Sequence, residues 1–382
     1  MAKKFITNKR ITSIDTIGLK LFIESSNLTG EYYQDTVMEN IKTSLERLPY
    51  CRNVKRVTEK DNGRPTEEIN LILSYPSAIY GNNSNLVDNP EDSLRAQKIF
   101  VRKITQNIES NGEIDRKQKN WILKHLRIRI IRVEYPFTFS FSDGSFSYQE
   151  NLLNILRKIY IERNPNSKPK KIKCDEEGIE KLETLFLGET TNYRRGNKNI
   201  VIYNQEAKFE DLYGNRPSFI KEIKEKNEDL GNRVRIEVSI RTAKHFTLKT
   251  FKKSDIYTHY SKIALEYLMN NLLNERVFIQ ICNRNQEILE MKLQKACVYY
   301  RASEFVLENR NIIYDYEILR KAIMNVDSSK NTAYWRCSTM KENIQRFSNV
   351  DYFHVIDKFR EMLKMCNREY KKFKKREDKN GK

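Results

Sequence analysis

The chain has 382 residues, with 70 Lys and Arg against 51 Asp and Glu and a formal net charge of +19 at pH 7. Such an excess favours a polyanionic partner, because neutralising phosphates releases condensed counterions. An acidic membrane would also satisfy the charge, but no run of 18 apolar residues exists and MAKKFITNKR opens into mixed polar sequence, so the expectation is a soluble cytoplasmic protein with no membrane partner.

In chain order, TIGLKLFIES (16–25) predicts a strand and YYQDTVMENIKTSLERL (32–48) has the spacing of an amphipathic helix. A turn-rich segment follows, then a strand at INLILSY (69–75). Asn89 as N-cap, Pro90 at the first helical position, and Glu91 and Asp92 in the first turn mark a helix start. LRIRIIRVEYPFTFSF (126–141) predicts a long strand, and QENLLNILRKIYI (149–161) places Leu152, Ile155, Leu156 and Ile159 on one helical face. NPNSKPKKIK (164–173) is a basic loop. TLFLG (184–188), NKNIVIYNQEAKF (197–209) and RVRIEVSIR (233–241) predict further strands.

From about residue 254 the pattern is helical, and the tail REYKKFKKREDKNGK is basic and expected to fray. The fold class is therefore α+β: a central antiparallel sheet with helices on one face, followed by a mainly helical C-terminal domain. The boundaries fall at 1–120 for an N-terminal α+β part, 121–275 for a catalytic sheet, 276–368 for helices serving DNA binding or oligomerisation, and 369–382 for the tail.

The six cysteines (Cys51, Cys174, Cys282, Cys297, Cys337, Cys366) are scattered without a C-x-x-C pair, which predicts reduced structural thiols. The chain has no G-x-x-x-x-G-K-[ST] phosphate loop, so it is not itself a P-loop motor.

RVRIEVSIR alternates so that Arg233, Arg235, Glu237, Ser239 and Arg241 share one face and Val234, Ile236, Val238 and Ile240 the other. The same logic sets Arg132 beside Glu134 in the earlier strand. Two readings are open. The R-x-E strands could be solvated sheet faces with cross-strand ion pairs. Alternatively, carboxylates on adjacent strands could hold a divalent cation while arginines hold phosphates.

TLFLGETTNYRRGNKNIVIYNQEAKFE resembles the stretch of plasmid and filamentous-phage rolling-circle replication initiators in which a T-[LIV]-x-[LIVF]-G strand precedes [IV]-x-x-Y-[DN]-K and an acid. RVRIEVSIR, IIRVEYPF and INLILSYPSAIYGNN are similar to other segments of those proteins, in order over roughly residues 65 to 245. The resemblance implies a relaxase-like sheet carrying Mg²⁺ or Mn²⁺ and a tyrosine that cuts one DNA strand. The products are a 5′-phosphotyrosine and a free 3′-hydroxyl.

On this resemblance Glu134 and Glu237 are the leading metal ligands. Gln205 and Lys208 stand where the pattern has lysine and the acid, so Glu206 or Glu210 is left for the third ligand. His125, His245, His259 and His354 form no two-histidine motif. Tyr257 and Tyr260 lie in the window after the R-x-E strand where the nucleophile is expected. Tyr257 is preferred because helix N-terminal amides can hold a phosphate, although both also fit a helical core. Tyr203 is a third candidate, better explained by strand burial.

DNA contacts are expected from Arg132, Arg194, Arg195, Lys198, Arg233, Arg235 and Arg241, with the KPKKIK loop and Tyr193 nearby. SSKNTAYWRCSTMKENIQRF (328–347) is the candidate for a helix-turn-helix origin reader. Expected partners are duplex and single-stranded origin DNA, a host helicase and a second copy of the chain. The competing expectations are a non-catalytic initiator or partition-type DNA binder, and an RNA-binding sheet, which usually carries aromatics where this one has Arg and Glu.

Overall fold

A computed structural model describes residues 11–23, 31–61, 64–81, 86–140, 147–165, 184–187, 198–206, 208, 210, 214–226, 230–295, 302–309, 312–313, 316–347 and 355–380. The first half runs β1 (Thr16–Ile23), α1 (Glu31–Glu46), β2 (Cys51–Asp61), β3 (Arg64–Ser74), α2 (Tyr75–Tyr80), α3 (Pro90–Ser110), α4 (Arg116–His125), β4 (Leu126–Ser140) and α5 (Ser147–Arg163). Then come β5 (Thr184–Leu187), β6 (Lys198–Asn204), α6 (Pro217–Lys226), β7 (Arg233–Thr247), α7 (Leu248–Phe251) and α8 (Ile256–Asn271). The C-terminal part is helical: α9 (Glu275–Lys295), α10 (Ala302–Glu308), α11 (Tyr316–Val326), α12 (Lys330–Phe347) and α13 (Val355–Asn380). The fold is α+β, as the sequence predicts.

All seven strands join one antiparallel sheet in the order β2-β3-β1-β4-β7-β6-β5. The sheet takes strands from both sides of residue 120, so the segments expected as separate parts share one layer. The two R-x-E strands are neighbours at its centre, with Val133 opposite Ile240 and Tyr135 opposite Val238. Alternation then sorts the side chains. Ile17, Leu19, Val133, Tyr135, Phe137, Ile236, Val238, Ile200 and Ile202 fall on one face and are fully buried.

Helices cover that face. α8 packs on β4 and β7 while α5 packs on β5. Tyr135 donates its hydroxyl to the carbonyls of Ile256 (2.9 Å) and Tyr257 (3.1 Å), which ties the sheet to the start of α8. The α3 cap forms as read: Asn89 Oδ1 accepts from the Asp92 amide at 2.8 Å, with Pro90 in the first turn.

β4 carries an irregularity where its pairing to β1 shifts between Gly18 and Leu19. Gly18 allows a close approach there: a Cβ would come within 3.1 Å of Ile131 Cγ1 and 3.3 Å of Arg132 Cβ, so those neighbours would have to give by a few tenths of an ångström. In the helical part, α9 packs on α11, α10 and α11 pack on α12, and Phe278 of α9 stacks on Phe359 of α13 at 4.0 Å. The segment expected as a frayed tail continues α13 as far as Asn380.

Candidate active site

The second sheet face is polar. The register sets Glu134 opposite Ser239, Pro136 opposite Glu237, and Arg132 opposite Arg241 on the β4 side; on the β6 side Tyr203 faces Arg235 and Val201 faces Glu237. Glu134 and Glu237 are thus diagonal cross-strand neighbours, a relation that lets long side chains meet.

Each carboxylate is already engaged. Glu134 accepts from Thr16 Oγ1 and from Arg132, and Arg132 Nε also donates to Ser239 Oγ at 2.7 Å. Glu237 accepts from the hydroxyl of Tyr203. Tyr203 is only 6% exposed, and burial together with the charge of Glu237 holds its phenol well above the ordinary range.

Arg235 is buried beside this pair, where Tyr203, Glu237 and Asp15 outweigh the burial that disfavours its charge. Asp15, which the sequence reading passed over, belongs to the same cluster. Burial and then the charge of Glu237 push its carboxyl up to about 6, against the opposing pull of Arg235 and Arg52.

The polar face also holds buried polar atoms that lack a partner, as does the helix side at Tyr75, Ser93 and Ser261. Asp15 Oδ1, Asn70 Oδ1, Arg129 Nε, Thr138 Oγ1, Asn199 Oδ1 and Arg235 Nε are buried polar atoms without a hydrogen-bond partner in the protein. Asn70, Arg129, Thr138, Asn199 and Arg235 fall on the polar side by strand register, and Asp15 joins it through its interactions with Glu237 and Arg235. Burying such groups costs free energy unless something bonds them. Those on the polar face lie beside the Arg235–Glu237 cluster, where a polar, charged ligand could bond them.

The expected site residues divide accordingly. Arg132, Glu134, Arg233, Arg235, Glu237 and Arg241 come together on the polar face. Tyr257 and Tyr260 do not, because α8 packs on the opposite side. Tyr257 is fully buried, and its hydroxyl donates to the carbonyls of Thr12 (3.0 Å) and Asp88 (2.8 Å). The hydroxyl of Tyr260 bonds Thr242 Oγ1 at 2.9 Å.

Lys198 also points to the helix side, with its ammonium 5.1 Å from the ring centre of Tyr267. Glu206 pairs with Lys224 at 2.7 Å rather than with Glu134 or Glu237. Arg194, Arg195, Tyr193 and the KPKKIK loop lie outside the described residues.

Among the described residues no group of three or more His, Cys, Asp or Glu could hold a metal ion. Two carboxylates alone suit a Mg²⁺-like ion only where phosphate oxygens and water complete the shell. Among the described residues, too, no helix is long and apolar enough to cross a membrane. Comparison with family models, and with curated proteins, finds no match to this chain.

Proposed function

We propose that the chain is a DNA strand-nicking replication initiator whose nucleophile is Tyr203. The observation that carries this reading is the hydrogen bond from the Tyr203 hydroxyl to Glu237 on the face that also holds Glu134, Arg132 and Arg235. Of the three tyrosines considered in the sequence, Tyr203 is the one that shares a face with the carboxylates.

A phenol held above its ordinary pKa is a poor nucleophile, so it must lose its proton as it attacks. Glu237 is placed to receive it. The phenol oxygen bonds the phosphorus, the bond from phosphorus to the 3′-oxygen breaks, and that oxygen leaves as a hydroxyl after taking a proton from water. Arg235 and Arg132 stand beside the two carboxylates to oppose charge building on the phosphate. Glu134 and the second oxygen of Glu237 would be the protein ligands of Mg²⁺ or Mn²⁺, whose contribution is to stabilise that same developing charge. The fold would then be relaxase-like and its substrate a single strand of origin DNA in the cytoplasm.

The test is a labelled origin single strand incubated with the protein and Mn²⁺. A denaturant-resistant protein–DNA adduct is expected from the wild type and is lost in Tyr203→Phe. No adduct with cognate DNA, or a full adduct in Tyr203→Phe, overturns the assignment. A non-catalytic DNA-binding initiator is the second reading, favoured by the ion pair and hydrogen bonds that already satisfy both carboxylates; retention of origin binding without any adduct would select it.

A further inference from the structure

α13 presents a line of cations that the site does not use. Arg360, Lys364, Arg368 and Lys371 are exposed, and at 3.6 residues per turn they fall within a band of about 80° over ~17 Å of helix. None of the four forms an ion pair with another described residue; of the nearby acids, Glu361 and Glu369 are held by other lysines, and the exposed Asp357 lies at the N-terminal end of the same band. Lys358 holds Glu361 at 3.5 Å and Lys372 holds Glu369 at 3.0 Å.

The opposite side of α13 is fixed: Phe359, Met362, Cys366 and Phe373 are buried, and the helix packs on α5 and α8. We infer that this stripe is a second nucleic-acid surface, one that tracks the phosphates of duplex DNA without reading sequence.

Three observations select that partner. A helix whose apolar side is committed to the protein core cannot insert into a bilayer, as an interfacial helix must. Single-strand grooves interleave cations with exposed aromatics for base stacking, and this stripe has none: Tyr370 donates to Glu266 at 3.1 Å and lies under Lys374. A row of cations fixed on one side of a helix suits the regular phosphate array of a duplex.

α13 packs outside the helical layer, on the side of the sheet away from Tyr203. The protein would thus hold duplex on its helical side while a single strand occupies the polar sheet face. The choice of DNA over other polyanions rests on the nicking reading, but the duplex surface needs no nicking to operate.

The experiment is duplex affinity against salt, measured by fluorescence anisotropy with a 30-base-pair DNA of arbitrary sequence. The variant Arg360→Gln/Lys364→Gln/Arg368→Gln/Lys371→Gln is compared with Lys55→Gln/Arg102→Gln/Lys117→Gln/Lys321→Gln, which removes equal charge from four scattered exposed sites. The stripe variant is expected to lose about 3 to 4 units of the slope of log K against log salt while still melting cooperatively. The scattered control should lose far less.

An unchanged slope in the stripe variant, or an equal loss in the control, overturns the inference. So does tighter binding of an RNA duplex of the same sequence, or binding of phosphatidylserine vesicles that the stripe variant loses. Tyr203→Phe should keep the full slope, so failure of the nicking reading and failure of the duplex surface register separately.

Discussion

The two faces of the central sheet are built from the same strands and differ in the side chains they gather. On the helix side, Val133, Tyr135, Phe137, Ile236 and Val238 are fully buried, and the hydroxyl of Tyr135 is bonded. On the other, alternate residues of those strands bring together Arg132, Glu134, Arg235, Glu237 and Tyr203, together with buried polar atoms that nothing in the protein satisfies. The first arrangement stabilises the fold; the second costs stability, as sites that bind or react commonly do.

The comparison breaks most visibly on the helix side. Phe137 is fully buried and lies opposite Ile236, with Thr12 bridged to its backbone. Phe137→Ala should cost about 3 to 5 kcal/mol, from lost burial plus the cavity left behind. Urea unfolding measures it, and a loss under about 1 kcal/mol would mean that this layer is not the core.

On the polar face a substitution should act in the opposite direction. The carboxyl of Asp15 titrates at about 6 in the fold against 3.8 for the ordinary group. The unfolded chain therefore ionises it more readily, and the fold carries a penalty that grows as pH rises from about 4 to 6 and is complete above that range. Asp15→Asn should stabilise the protein by up to about 3 kcal/mol at pH 8 and by almost nothing near pH 3.5. Equal stability of the two proteins at pH 8 would remove Asp15 from the strained cluster.

The division into faces was legible in the sequence because a strand has period two. RVRIEVSIR can be sorted residue by residue, and the repeated R-x-E suggested that β4 and β7 are neighbours. β3 was legible only in its apolar half, INLILSY; β2 and its hairpin pairing with β3 were missed because β2 and the first half of β3 are largely polar, although Asn62-Gly63 between them is a two-residue turn signal.

Asp15 was invisible for another reason. It reaches Glu237 and Arg235 only through a sheet that pairs strands more than 100 residues apart in sequence. The tyrosines show the same limit. Helical spacing around Tyr257 and Tyr260 says that one side of α8 is buried but not which face of the sheet it covers, and the groups that bind the Tyr257 hydroxyl are 245 and 169 positions away.

Those tyrosines provide the finest test of the comparison, because stability and chemistry should separate between them. Tyr257→Phe removes the donor to two buried carbonyls and should cost about 2 kcal/mol; Tyr260→Phe removes one bond to Thr242 and should cost about 1. Neither hydroxyl lies on the face that holds Glu134 and Glu237, so adduct formation per folded molecule should match the wild type in both variants. Tyr203→Phe should give the reverse, a folded protein that forms no adduct. Loss of the adduct in Tyr257→Phe or Tyr260→Phe at a temperature where the variant remains folded would place the chemistry on the helix side. The polar face would then be a binding surface alone.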